Sequence, residues 1–269
     1  MSGLALELKQ KIHEQKDVVM GMWVFTLDPG IIETAGARKM CEFVILELEH
    51  SPYYADKTVE CIRAAEISGL VPLVRVPDAS KPMIQKVLDV GAKGIFLPMV
   101  RTGAEMRAAI AATRFQPEGT RGAFPSARGC GKFSYIDMDP KEWEAKVKEL
   151  NEEMIVFSLP LETLDGMENL EDIVASPGMD CASLSIIDVG HALGHPGDMS
   201  HPEVRQAQQK LLDVCTKHNV PTYAVPVRDG QFEYWYEQGT RVFTICDSQL
   251  FEWGYKDFTK GWQHYRNKS

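Results

Sequence analysis

Four charged residues stand in or just beyond short apolar runs. His50 follows Phe43–Leu48, Arg75 lies inside Val71–Val76, Glu162 follows Met154–Leu161, and Asp188 follows Asp180–Ile187. Charges flanked by apolar neighbours are costly to bury alone, so each must be paired or hold an ion. Glu162 and Asp188 are carboxylates on neighbouring runs. With water completing the shell they suit a hard octahedral ion such as Mg²⁺ or Mn²⁺, and a salt bridge to a helix lysine is the alternative. Arg75 presents a fixed planar fork that matches a carboxylate, or it closes an internal ion pair with Glu47 or Asp89. His50 is the side chain best suited to proton transfer near neutral pH, although a histidine at a loop start also serves as a surface or capping residue. Glu47 lies three residues before it, on the opposite face of a strand unless a turn begins at Glu49.

The spacing His191-x-x-x-His195 invites a zinc reading, but Gly194 and Pro196 oppose the helix that motif needs, so both histidines are expected in a loop. The six cysteines are scattered, without a C-x-x-C pair, and most lie in apolar stretches. They read as core thiols rather than a zinc framework.

The elements that must position these groups alternate regularly. Eight short apolar runs are expected as strands buried on both faces: 18–25, 43–48, 71–76, 94–99, 154–161, 180–187, 222–227 and 241–245. Amphipathic helical patterns occupy 31–40, 55–67, 81–90, 104–113, 140–150, 167–175, 202–217 and 230–237, with Gly69, Gly91 and Gly239 at helix exits. Eight β/α units in 269 residues fit a doubly wound sheet or a closed (β/α)8 barrel. No G-x-G-x-x-G follows the first run, which favours the barrel, as one domain over residues 1–269. The irregular stretch 115–139 is long enough to be functional and is expected at the active-site rim.

Composition narrows the function class. A net charge of −9 argues against a nucleic-acid backbone binder. No apolar run reaches the ~20 residues of a spanning helix, and the N-terminus lacks a signal-peptide core, so a cytoplasmic protein without membrane partners is expected. The aromatic segment from Phe251 to Tyr255 reads as a docking surface for another subunit.

Taken in order, the segments resemble the HpcH/HpaI-type class II (metal-dependent) aldolases, related to the citrate lyase β-subunit. The carrying segments are Gly21-Met-Trp-Val, Phe43-Val-Ile-Leu-Glu-Leu-Glu-His50, Pro72-Leu-Val-Arg75-Val-Pro and Val87-Leu-Asp89-Val-Gly-Ala-Lys-Gly-Ile-Phe-Leu-Pro98. They continue through Gly119-Thr-Arg-Gly122, Pro160-Leu-Glu162-Thr, Pro177-Gly-Met-Asp180, Asp188 and Leu193-Gly194. The resemblance implies a (β/α)8 barrel assembled as a homohexamer, a trimer of dimers, with the last segment, about 248–269, packed on or exchanged with a neighbour. It implies a small 2-oxo acid substrate and reversible carbon–carbon cleavage that yields pyruvate. Carried over residue by residue, Glu162 and Asp188 would hold a divalent metal, Mg²⁺ first and Mn²⁺ or Co²⁺ next. Arg75 would hold the keto acid and stabilise the enolate oxygen. His50, supported by Glu47 and Asp89, would move the proton on the aldol hydroxyl. The amides of Ile187 and Asp188 would cradle the carboxylate, and Ser185, although not the family's residue at its position, is also expected to bind substrate.

Three positions depart from the family pattern. Pro160 stands where Gln is common, Ser185-Ile186 where Gly-Pro is common, and Glu47 where Asp is usual. All lie around the floor that would hold the keto acid. They keep open a synthase that uses an enolate for citrate-like condensation or CoA-ester cleavage. An inactive metabolite-binding barrel is the reading from another class.

Overall fold

The computed structural model describes residues 3–52, 55–132, 134, 136–227 and 230–266. Eight parallel strands form one sheet: β1 (Val19–Val24), β2 (Phe43–Glu47), β3 (Val71–Arg75), β4 (Gly94–Leu97), β5 (Ile155–Leu161), β6 (Cys181–Leu184), β7 (Tyr223–Ala224) and β8 (Val242–Cys246). Their order is β6-β5-β4-β3-β2-β1-β8-β7. The ends meet through a single parallel bridge between Ala182 and Thr222, with the Ala182 N–H donating to the Pro221 carbonyl at 2.9 Å. The expected (β/α)8 barrel therefore forms, joined lightly between β6 and β7.

Among the described residues twelve α-helices surround the strands: α1 (Leu4–Glu14), α2 (Pro29–Ala37), α3 (Ala55–Ile67), α4 (Lys81–Asp89), α5 (Gly103–Thr113), α6 (Pro140–Glu153), α7 (Leu164–Glu168), α8 (Leu170–Val174), α9 (Ile186–Ala192), α10 (Pro202–His218), α11 (Gln231–Glu237) and α12 (Asp247–Arg266). Strand side chains alternate between two cores. Trp23, Phe43, Ile45, Leu73, Phe96, Phe157 and Tyr223 fill the barrel, while Val24, Val44, Leu46, Val74, Ile95 and Val156 pack under the helices. Gly21 makes the interior layer possible, since a Cβ there would sit 2.2 Å from the Phe43 ring.

This alternation aims the charged residues. Glu47 is two residues beyond Ile45 and Arg75 two beyond Leu73, so both face the interior, and the two are paired in register. On β5, Phe157 and Leu159 also face inward, but the register shifts between Ser158 and Leu161, and Leu161 joins the outer core. The irregularity restores Glu162 to the interior side, the re-aiming that bulges commonly perform. Pro160 occupies this break, where its missing N–H is tolerated.

Several expected boundaries change. The run 180–187 is strand only to Leu184, because Ser185 caps α9 and Ile186 and Ile187 are helical. The pattern 167–175 divides at Asn169 into α7 and α8, and β7 is two residues long. His191 lies in α9 rather than a loop, whereas His195 is outside any helix.

The stretch 115–139, whose residues 133 and 135 lie outside the described residues, does not line the active-site rim. It is tied to the end of α4: Arg121 bonds Asp89 at 2.9 Å, the Gly122 N–H reaches Gln85 at 3.3 Å, and Arg128 reaches the Val90 carbonyl at 3.2 Å. Helix α4 returns from the end of β3 toward the start of β4, so this anchor lies at the opposite end of the barrel from the strands' C-termini. Among the described residues no helix is long and apolar enough to cross a membrane.

Candidate active site

Arg75 is the hub of the upper barrel. Its guanidinium is buried, with Nη1 3.3 Å from Glu47 Oε2 and Nη2 3.4 Å from Glu162 Oε1, and Nη2 also forms a close ion pair with Glu49. The group lies 5.7 Å from the Trp23 ring centroid and 5.9 Å from that of Phe96, so aromatic faces brace it from below. Its buried Nε–H has no acceptor among the described residues, which leaves a donor available to a ligand.

Glu162 is 4% exposed and accepts a short hydrogen bond from the Met99 N–H. Met99 adopts φ 53°, a left-handed conformation unusual for its type, which aims its amide at the carboxylate. Burial pushes the Glu162 carboxyl up to about 7, with Met99 and Arg75 opposing and Glu49 and Asp188 adding to the rise. Glu49 is likewise raised, first by burial, against the pull of Arg75 and His50. Three carboxylates thus press on Arg75, and a fourth, Asp188, acts on Glu49 and Glu162.

A divalent cation fits this donor set. Glu162 and Asp188 line one cavity of about 560 Å³ together with Arg101, Thr163 and His191. Two hard oxygen donors beside surplus buried negative charge suit such an ion. Asp188 is oriented locally: Ser185 Oγ donates to its Oδ2 in a short bond, and the Asp188 N–H returns to Ser185 Oγ at 3.4 Å. The Ser185 side chain thus caps the start of α9, while its backbone N–H goes to the Leu161 carbonyl at 3.3 Å.

The remaining expected residues divide. The turn at Glu49 forms, because Glu47 Oε1 accepts from the Glu49 and His50 amides at 2.6 and 3.0 Å. Glu47 therefore holds the His50 backbone and not its ring. The ring is 62% exposed at the rim, with Nε2 3.6 Å from Glu49 Oε2. Asp89 does not join His50: it ends α4 and pairs with Arg121, so the expected support of His50 by Asp89 is corrected within this chain. Nor does Asp89 take the alternative place beside Arg75, which Glu47, Glu49 and Glu162 fill. Ser185 and Ile187 line a second cavity of about 470 Å³ with Arg75, Trp23, Ser183 and Tyr223. Glu49, Met99 and Tyr223 were not singled out in the sequence. For Glu49 the signal was available, since it lies two residues beyond inward-facing Glu47.

The model of the HpcH/HpaI aldolase/citrate lyase family matches residues 19–239. A 5-keto-4-deoxy-D-glucarate aldolase of Shigella boydii is 30% identical over 235 residues, 87% of each chain. Among solved structures, an HpcH/HpaI aldolase/citrate lyase family protein of Burkholderia cenocepacia superposes with a TM-score of 0.84 at 24% identity, covering 97% of this chain and 99% of its own. The citrate synthase SbnG superposes with a TM-score of 0.82 at 25% identity, covering 98% and 100%.

Proposed function

The chain belongs to the HpcH/HpaI aldolase/citrate lyase family, and from that premise we propose that it is a divalent-metal-dependent carbon–carbon lyase. Its substrate is a 4-hydroxy-2-oxo or 2-keto-3-deoxy acid, cleaved to pyruvate and an aldehyde. The observation that carries this reading is the buried Arg75 fork facing the Glu162 carboxylate, beside a cavity that Asp188 shares.

Glu162 and Asp188 would hold the ion, with Mg²⁺ the first choice and Mn²⁺ or Co²⁺ next. When bound, it supplies Lewis-acid polarisation of the 2-oxo group. Arg75 receives the keto oxygen and opposes the negative charge that gathers there as the enolate forms. The N-terminus of α9, with the amides of Ile187 and Asp188, faces the substrate carboxylate. His50 accepts the proton of the 4-hydroxyl. The C3–C4 bond then breaks, the aldehyde departs, and its bonding pair remains as the enolate, which takes a proton at C3 to become pyruvate. No lysine adduct is required.

The likeness to citrate synthase SbnG, together with Pro160 and Ser185 beside the keto-acid floor, supports a second reading. In it the enolate condenses with another carbonyl instead of arising by cleavage.

One experiment separates the two. The protein is stripped with a chelator, Mg²⁺, Mn²⁺ or Co²⁺ is returned, and pyruvate release from a 4-hydroxy-2-oxo acid is followed beside Glu162→Gln and Arg75→Ala. The expected result is metal-dependent release that both substitutions lower by a factor of about 10² or more. Tight metal binding without release would sink the cleavage reading and direct the assay to acetyl-CoA condensation.

A further inference from the structure

Beyond α9 the chain makes a tight turn that brings two imidazoles together. His195 donates its N–H to the Gly190 carbonyl at 2.7 Å, Asp198 returns to the His195 carbonyl at 3.1 Å, and His201 to the Asp198 carbonyl at 3.2 Å. Gly194 and Gly197, at φ 79° and 80°, permit the reversal. The rings of His195 and His201 stack with centroids 3.4 Å apart and planes 22° from parallel. Glu203, in the first turn of α10, closes the group. Its Oε2 lies 2.7 Å from His195 Nε2, and its N–H donates to His201 Nδ1 at 3.3 Å. The ligand atoms of the three side chains all lie within 4.8 Å of one another, the one such group of three among the described residues.

We propose that His195, His201 and Glu203 form a second metal site, separate from Glu162 and Asp188, that takes a borderline transition ion such as Zn²⁺. Two imidazole nitrogens and one carboxylate, with water in the fourth position, make a donor set that Zn²⁺ accepts readily and Mg²⁺ does not. The ion clips the end of α9 to the start of α10. The turn so fixed carries Met199, which lines the cavity beside Arg75. The site is therefore a brace for the pocket wall and not part of the reacting centre.

The test uses the full chain carrying Glu162→Gln and Asp188→Asn, which removes the proposed catalytic ligands. After chelator treatment, Zn²⁺ is titrated calorimetrically and the Tm recorded. One Zn²⁺ per chain is expected, with a Tm rise of about 5–10 °C at roughly 100-fold excess over Kd. In the same background His195→Ala and His201→Asn each remove both signals. Asparagine keeps a capping acceptor for α10, so its effect is not loss of the helix start. No zinc binding in the parent background would overturn the proposal, as would a stoichiometry that neither histidine substitution changes. An equal Tm rise with Mg²⁺ would also overturn it.

Discussion

Arg75 is one guanidinium shared among Glu47, Glu49 and Glu162, so its substitutions separate charge from shape. Arg75→Ala strands buried Glu47 and is expected to cost about 3–5 kcal/mol in denaturant unfolding. It should also lower kcat/KM roughly 10²–10³-fold, the usual loss when a donor aimed at developing charge is removed. Arg75→Lys should recover most of the stability and little of the activity, because an ammonium cannot reproduce the fork. The thiols make an independent prediction. Burial pushes Cys41, Cys61, Cys215 and Cys246 up to about 12, and Cys130 and Cys181 are raised as well. Native protein at pH 8 should resist iodoacetamide, whereas unfolded protein should take up six labels, read by mass. Because these acids are raised in the folded state, their contribution to stability is present below pH 9.0 and is lost as pH rises toward 12. Arg75 and Glu162 were legible because charge at the end of an apolar run must find a partner. Of the partners, Glu47 was named beforehand and does pair with Arg75, whereas Asp89 goes instead to Arg121, 32 residues away in sequence, a distance to which periodicity is blind.

Helix α9 begins where strand β6 ends and carries Asp188, the second proposed metal ligand. Ser185 caps it and grips Asp188, so Ser185→Ala should lower stability by about 1 kcal/mol, a Tm fall of roughly 2–4 °C. The same change should raise the concentration of Mg²⁺ needed for half-maximal pyruvate release, which a truncated cap without a role in the site would leave alone. The strand expected through Ile187 failed here because Ile186 and Ile187 prolong an apolar run that the Ser-x-x-Asp cap interrupts. A bulge is equally hidden: nothing in the alternation of β5 announces that Leu161 changes faces, although Pro160 marks the position where a ladder must break.

At the scale of the whole molecule, the eightfold alternation made the barrel legible, while helix α12 lies outside the eight helical patterns read from periodicity and was expected only from the resemblance. It carries Phe251, Tyr255, Phe258 and Trp262, all more than half exposed, and residues 267–269 of the expected C-terminal segment lie outside the described residues. If the expected oligomer forms, this exposed apolar face is where a second copy of the chain would pack. Phe258→Glu with Trp262→Glu is therefore predicted to reduce the particle mass measured by light scattering, with the barrel's far-ultraviolet circular dichroism intact. A final consequence follows from the single bridge between Ala182 and Thr222. The strands it joins also supply Ser183, Leu184, Tyr223 and Ala224 to the pocket wall. The barrel is thus a cask with one loosely fastened seam, and that seam runs beside the pocket. Deuterium should enter the amides along this seam sooner than those of β2 and β3, and a bound product analogue should alter its rate of entry there first.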